Sequence, residues 1–197
     1  MWSVSQALAT LTLIAYAAVA LCVIVGIWER AFFPNLSERV PRLGQVRAQV
    51  QDSALGLAWI VALVATLGSL YLSEIANYPP CTLCWLQRIA MYPLVVLLGI
   101  GALREDRAIG WYALPLAGIG AALAFYHALV QRVPGLQQAT SCSAEAPCNA
   151  MWVREFGFVS IPVMALGAFL LIGALILVSA TAAAGDVAAE RRSPRRR

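Results

Sequence analysis

The sequence predicts an all-α membrane protein, on three observations: a high apolar fraction, five long segments almost free of charge, and the lack of barrel-strand alternation. Of the 197 residues, 61% are hydrophobic, whereas soluble globular chains contain about 45–50% apolar residues. A helix needs about 20 largely apolar residues to cross a bilayer. Transmembrane barrel strands alternate strictly between apolar and polar residues, and these segments do not. We therefore expect membrane-spanning helices.

Five segments have the length and composition of a spanning helix or come close to them. The first lacks charges, and no basic residue precedes it, so we expect an uncleaved helix with its N-terminus outside. The third is short unless it extends back through Trp85, with Arg88 directed towards the interface. The five segments, in chain order, are 7–27, 54–73, 89–103, 108–131 and 156–185.

The distribution of arginine predicts the orientation in the membrane. All 14 basic residues are arginines, and eleven of them lie inside if the N-terminus is outside, as the positive-inside rule prefers. The basic residues flank membrane segments and form no separate basic face, which argues against nucleic-acid binding. Outside the spans, 29–53 is either a helix on the inner membrane surface or a solvated linker, and 186–197 is expected to be a disordered basic tail.

This orientation places four of the five cysteines outside, where disulfides persist. They are Cys81 and Cys84 in "YPPCTLCWLQRI" and Cys142 and Cys148 in "SCSAEAPC". Three arrangements are open: two static disulfides, a zinc site of four thiolates, or two pairs that exchange electrons. Spacing alone does not separate them, because CxxC occurs in both zinc and redox sites.

Local physical chemistry favours the redox interpretation. Two prolines precede Cys81 and stop any preceding helix, so Cys84 falls near the start of the next one. The positive end of a helix stabilises a thiolate, the reactive form of cysteine, and Arg88 lies one turn further on the same face. Cys142 and Cys148 lie in a polar loop, which we expect to be exposed and mobile.

These motifs resemble the DsbB/BdbC family of disulfide-bond formation proteins, and the short loop between the last two cysteines is closer to the BdbC branch. The resemblance is carried by "CTLCWLQRI" (81–89), "FYHALVQ" (125–131) and "SC…PC…W…FGFVSIP" (141–162). It implies an antiparallel four-helix transmembrane bundle over 54–185 in a bacterial inner membrane. Segment 1–28 would then be an additional N-terminal transmembrane helix.

The resemblance also implies a function and roles for individual residues. The chain would be a protein-dithiol:quinone oxidoreductase that re-oxidises a thioredoxin-like, DsbA-like dithiol oxidase outside the cytoplasm. Cys142 and Cys148 would face that partner, and Cys81 and Cys84 would pass electrons to a membrane quinone, ubiquinone or menaquinone. We expect Cys81 to be the cysteine attacked, because it lies outside the helix and is less shielded.

Three further residues are candidates for quinone binding. Arg88 stands where the family has its quinone-side arginine, although it is also explained as an interface anchor. His127 is a candidate hydrogen-bond donor or proton relay, although a structural histidine inside the bundle has the same sequence pattern. Trp85 is a candidate to flank the quinone, and an aromatic belt explains it equally. We expect no resident metal.

Two rival functions use the same residues. A quinol-linked reductase would run the same cysteines in the opposite direction, since only relative potentials decide. A non-enzymatic membrane scaffold would use the cysteines as structural disulfides. In a scaffold, substitution of Cys81 would change stability without changing the redox state of any partner.

Overall fold

The computed structural model describes residues 3–31, 41–133, 135–136, 142 and 145–192. This part is almost wholly helical, and its only strand-like pairing is an isolated antiparallel bridge between Glu155 and Val159. The five long helices are α1 (Val4–Ala31), α2 (Pro41–Leu70), α3 (Thr82–Arg104), α4 (Gly110–Val130) and α5 (Ile161–Arg192). A π-helical turn, Tyr71–Ile75, continues α2, and a 3₁₀ turn, Arg107–Ile109, precedes α4.

The five helices, with the π-helical and 3₁₀ turns that adjoin α2 and α4, contain five stretches long and apolar enough to cross a membrane, which confirms the predicted all-α character with five candidate spans. The stretches are Val4–Val25, Ala48–Ile75, Thr82–Arg104, Arg107–Val130 and Ile161–Ala180. Large apolar side chains stay exposed along them, for example Leu103 at 89% and Trp111 at 68%. A water-facing surface would not tolerate this much exposed apolar area, but a lipid-facing one requires it.

The helices differ in extent from the predicted segments. Helix α2 begins at Pro41, a residue suited to the first turn because its missing N–H has no helical partner. Residues 41–53, assigned to a linker or surface helix, are therefore continuous with the second span, and 32–40 lie outside the described residues. Helix α5 extends to Arg192, so 186–192 of the expected tail are helical, while 193–197 are not described.

The last helix begins later than the sequence predicts. Residues 156–160 were expected to be part of it, but Phe156 and Gly157 have positive φ angles of 51° and 80°. These residues form a tight turn closed by the Glu155–Val159 bridge, and such a conformation does not continue a helix. Helix α5 therefore starts at Ile161.

Each of the helices α2 to α5 packs mainly against two others of this set. Helix α2 packs against α3 and α5, α4 packs against the same two helices, and α1 packs mainly against α5. The apolar core between them includes Leu94, Leu98 and Phe169, each almost fully buried. Gly120 on α4 lies against the Phe169 ring, where a Cβ atom would overlap it. This close approach holds α4 and α5 together at mid-span.

Candidate functional site

Cys81 caps the N-terminus of α3. Its backbone is extended (φ −77°, ψ 173°), and its sulfur accepts the backbone N–H of Cys84 at 3.4 Å. The sulfur atoms of Cys81 and Cys84 are 3.2 Å apart and are free thiols. Pro79 and Pro80 precede the cap outside any helix, as predicted. The pair can therefore exchange between dithiol and disulfide with little movement of the chain.

The groups around Cys81 favour a thiolate there, whereas the sequence argument placed the thiolate at Cys84. The pKa of Cys81 is lowered from its ordinary 9.0 to about 4, and the hydrogen bond from the Cys84 thiol is the largest cause. Burial raises the pKa, and a hydrogen bond with His127 lowers it further. The helix N-terminus contributes through the Cys84 N–H, because the capping position belongs to Cys81.

The expectation that Cys81 is the less shielded sulfur is also wrong. Cys81 is 5% exposed, whereas Cys84 is half-buried. Being outside the helix does not expose Cys81, because the loop after α4 covers it: Cys81 and Cys148 belong to one buried cluster with Leu83 and Val130.

Cys142 and Cys148 form a disulfide with 5.8 Å between their Cα atoms. Cys148 is 3% exposed and Cys142 is half-buried, so the expectation of an exposed pair is wrong for Cys148. The apolar cluster around Cys81 accounts for this, since the disulfide packs on it. The two cysteine pairs are therefore neighbours at one end of the molecule.

His127, buried near the end of α4, lies between the two pairs. Its Nε2 atom is 3.6 Å from the Cys81 sulfur and 3.0 Å from the backbone oxygen of Cys148. Its Nδ1 atom is 2.9 Å from Nε2 of Gln87. Because an amide nitrogen only donates, Nδ1 accepts, and Nε2 carries the proton. His127 can thus donate to Cys148 and to the Cys81 thiolate while Gln87 holds its tautomer.

Arg88 is buried on α3, with 7% of its surface exposed. Its guanidinium donates to the hydroxyl and backbone oxygens of Ser69 at 2.9 and 2.8 Å and to the Ser73 hydroxyl at 2.8 Å. It also lies 5.1 Å from the centre of the Trp85 ring. Arg88 is therefore held towards α2 by hydrogen bonds, whereas an interface anchor would extend to the surface.

A cavity of about 320 Å³ lies beside this arginine, among α1, α2, α3 and α5. Most of its lining is aliphatic, and Cys84, Gln87 and Arg88 line it together from one helix. An apolar space with a sulfur, an amide and a cation on one wall fits a lipid-soluble ring with polar oxygens. Trp85 is 52% exposed and does not line the cavity, so it contacts Arg88 from outside.

The sequence argument missed Gln87 and the two serines that bind Arg88. Gln87 is 6% exposed and lies three residues after Cys84 inside a span. A polar side chain in such a position is a signal of function that could have been used. The serines carried no such signal, because Ser69 and Ser73 are ordinary residues near the end of a span.

The structure brings together a set of metal-ligand atoms that differs from the four thiolates suggested by the sequence. The four-thiolate zinc site cannot form while Cys142 and Cys148 are bonded to each other. Cys81, Cys84 and His127 bring three ligand atoms within 4.8 Å of one another, which suits a soft metal ion when both thiols are reduced.

Comparison with known proteins identifies similar chains. Residues 51–179 match the family model described as "Disulfide bond formation protein DsbB". Disulfide bond formation protein C of Bacillus subtilis is 50% identical over 115 residues, 58% of this chain and 83% of the relative. Probable disulfide formation protein C 1 of Bacillus anthracis is 45% identical over 126 residues, 64% of this chain and 91% of the relative.

A relative outside the bacilli is similar as well. A probable disulfide formation protein of Coxiella burnetii is 40% identical over 131 residues, 66% of this chain and 89% of the relative. No solved structure matches the chain significantly. The family match includes the residues of both cysteine pairs, Arg88 and His127, and it begins after α1.

Proposed function

Because the chain belongs to the family of disulfide bond formation protein DsbB, we propose that it sustains disulfide formation as a membrane protein-dithiol:quinone oxidoreductase. It re-oxidises a thioredoxin-like dithiol oxidase outside the cytoplasm and passes the electrons to ubiquinone or menaquinone. The carrying observation is the adjacency of three groups: a disulfide, a dithiol with a stabilised thiolate, and an apolar cavity beside that dithiol.

The first exchange oxidises the partner. A thiolate of the reduced partner attacks the Cys142–Cys148 disulfide, forming a mixed disulfide and releasing the other loop cysteine as a thiol. The partner's second thiol then breaks the mixed disulfide. The partner leaves with a disulfide, and both loop cysteines are now thiols. Cys142 is the more exposed of the two, which makes it the sulfur that the partner reaches.

The second exchange moves the electrons to the helix pair. A loop thiolate attacks the oxidised Cys81–Cys84 pair, the loop disulfide forms again, and Cys81 and Cys84 become the dithiol. We assign Cys81 as the sulfur that is attacked, because it packs with Cys148 in one cluster. This reason replaces its expected exposure. His127 Nε2–H lies beside both Cys81 and Cys148, where it stabilises a thiolate as it forms.

The quinone is assigned to the cavity that Cys84 lines. A bound quinone would accept two electrons and two protons from the dithiol. Arg88 supplies a positive charge on the cavity wall, and Gln87 holds the His127 ring from the same wall. The mostly aliphatic lining favours an apolar ligand over water.

We also propose the arrangement in the membrane. Helices α2 to α5 form an antiparallel four-helix bundle, which is supported by the packing of each of them against two others. The chain lies in the bacterial inner membrane. The N-terminus and the cysteine loops face outward. Two observations support this: Ser5, at the start of α1, donates to Glu155 at 2.8 Å, and eleven of the 14 arginines fall in the sequence segments 28–53, 104–107 and 186–197, which the positive-inside rule assigns to the inner side.

The direct test uses purified protein, a reduced thioredoxin-like oxidase and a short-chain quinone whose absorbance is followed. We expect stoichiometric loss of quinone absorbance as the oxidase gains its disulfide. Cys84→Ser should abolish quinone reduction, and Cys22→Ser, which alters an exposed cysteine on α1, should keep the wild-type rate. Electron flow from quinol to the oxidised partner would instead establish the reductase, and no flow in either direction would favour the scaffold.

A further inference from the structure

Helix α1 lies before the part of the chain that matches the family, which begins at residue 51. It is nevertheless fixed to the other helices by specific contacts. The Tyr16 hydroxyl donates to the backbone oxygen of Val163 at 2.9 Å. At the N-terminal end of α1, the Ser5 hydroxyl donates to the Glu155 carboxylate. The absence of a side chain at Gly167 leaves room for Thr12 and Tyr16. These contacts seat α1 against α5 in one position.

Helix α1 also reaches α2 at the end of the cavity nearer the cysteines. The Leu8 side chain lies against Gly68, 3.0 Å from where a Cβ would stand. Helix α1 thus contacts both α2 and α5, and one face of α1 lines the cavity together with these helices and α3. The lining residues of α1 are Leu8, Leu11, Thr12, Ile14, Ala15 and Ala18. They are all apolar except Thr12, whose hydroxyl is bonded to the Leu8 backbone oxygen.

We propose that α1 is the lipid-side wall of the acceptor cavity and the part of this chain that receives the isoprenoid tail of the quinone. The inference rests on the proposed function, because it takes the cavity beside Cys84 and Arg88 as the quinone site. It adds a binding element that lies outside the family match.

The dimensions and side chains of the cavity agree with this assignment. The lining positions on α1 extend from Leu8 to Ala18, which corresponds to about 15 Å at 1.5 Å per residue. Cys84 and Arg88 provide polar contacts for a ring, while α1 provides aliphatic surface apart from Thr12, whose hydroxyl is bonded within the helix. The space itself exists because small residues line it from three helices: Ala15 and Ala18 on α1, Ala65 and Gly68 on α2, and Ala165 and Ala168 on α5.

The experiment that tests this proposal is photolabelling of the full-length protein in detergent. The probe is a quinone with a photoreactive group on its isoprenoid tail, and labelled peptides are identified by mass spectrometry. We expect label on the 8–18 face of α1, competed by excess unlabelled quinone. Label confined to α2–α5 would overturn the proposal, and this readout needs no variant to fold.

A matched pair of substitutions measures the contribution of α1 to binding. Ala15 is 7% exposed and lines the cavity, whereas Ala17 is exposed and does not. Ala15→Phe should weaken quinone binding by roughly tenfold, because the ring fills the space that the tail needs. Ala17→Phe makes the same chemical change on the lipid-facing side and should leave binding unchanged.

The outcomes separate this proposal from the proposed function. Anaerobic exchange between the reduced partner and the loop disulfide does not involve the cavity, so it should be the same in both variants. Normal quinone reduction with equal quinone affinity in Ala15→Phe and Ala17→Phe would overturn the role of α1 alone. Absence of quinone binding and reduction in the wild-type protein would overturn both.

Discussion

The thiolate of Cys81 depends first on its neighbour, so replacing Cys84 should make Cys81 far less reactive. The hydrogen bond from the Cys84 thiol is the largest cause of the low pKa of Cys81, about 4 against an ordinary 9.0. At pH 7 a thiol with a pKa of 4 is almost wholly ionised, and one with a pKa of 9 is about 1% ionised. The reactive fraction therefore differs by about 100-fold at pH 7.

The assay is alkylation of Cys81 in the reduced protein across pH 3–9, resolved by site with mass spectrometry. In the wild-type protein the rate should reach half its plateau near pH 4, because the thiolate forms as pH rises through the pKa. In Cys84→Ala the midpoint should move towards 9, while Cys84→Ser keeps a hydroxyl donor and should stay nearer the wild type. A wild-type midpoint at pH 8–9, or identical profiles for the alanine and serine variants, would refute the reasoning.

Three further predictions concern the cavity wall and the core. Gln87→Leu removes the donor to His127 and should slow anaerobic exchange between the cysteine pairs by roughly two- to tenfold; an unchanged single-turnover rate would contradict it. Arg88→Lys keeps the charge but loses the forked donors, so the KM for quinone should rise roughly tenfold. Anaerobic oxidation of the partner by the loop disulfide should not change. Gly120→Ala forces a Cβ into a phenylalanine ring and should cost about 1–3 kcal/mol of unfolding free energy in detergent. Its control, Gly118→Ala, has open space and should gain up to about 1 kcal/mol; equal stability of the two would remove the packing argument.

The membrane spans were predictable because apolar length is a local property. The five predicted segments each overlap one helix in the structure. The ends were less predictable, since hydropathy reports where a chain meets lipid and not where its helix stops. Helix α2 extends back to Pro41 through a charged region, and α5 starts late because of the turn at Phe156 and Gly157.

The sequence singled out Cys81, Cys84, Arg88 and His127, which the structure places near one another, but it did not predict their geometry. The capping position of Cys81 follows from Pro79 and Pro80, which are adjacent in sequence. The burial of Cys81 does not, because the groups that cover it come from the loop containing Cys148, far along the chain. The pairing of Gln87 with His127 joins residues 40 positions apart. Contacts of this range depend on how helices pack, and no local pattern records them.

The cost of the buried polar groups supports a functional origin for them. An arginine costs up to about 2.5–3.5 kcal/mol at the centre of a spanning helix on insertion scales and less nearer its ends. Arg88 lies inside the third span, in the half nearer the cysteines, so it bears part of that cost. Three hydrogen bonds to Ser69 and Ser73 offset part of that cost, yet an aliphatic side chain would need none. The same reasoning applies to Gln87 and His127, which satisfy each other inside the protein. Since all three lie close to Cys84 or Cys81 on α3 and α4, their cost supports the proposed electron transfer through those sulfurs.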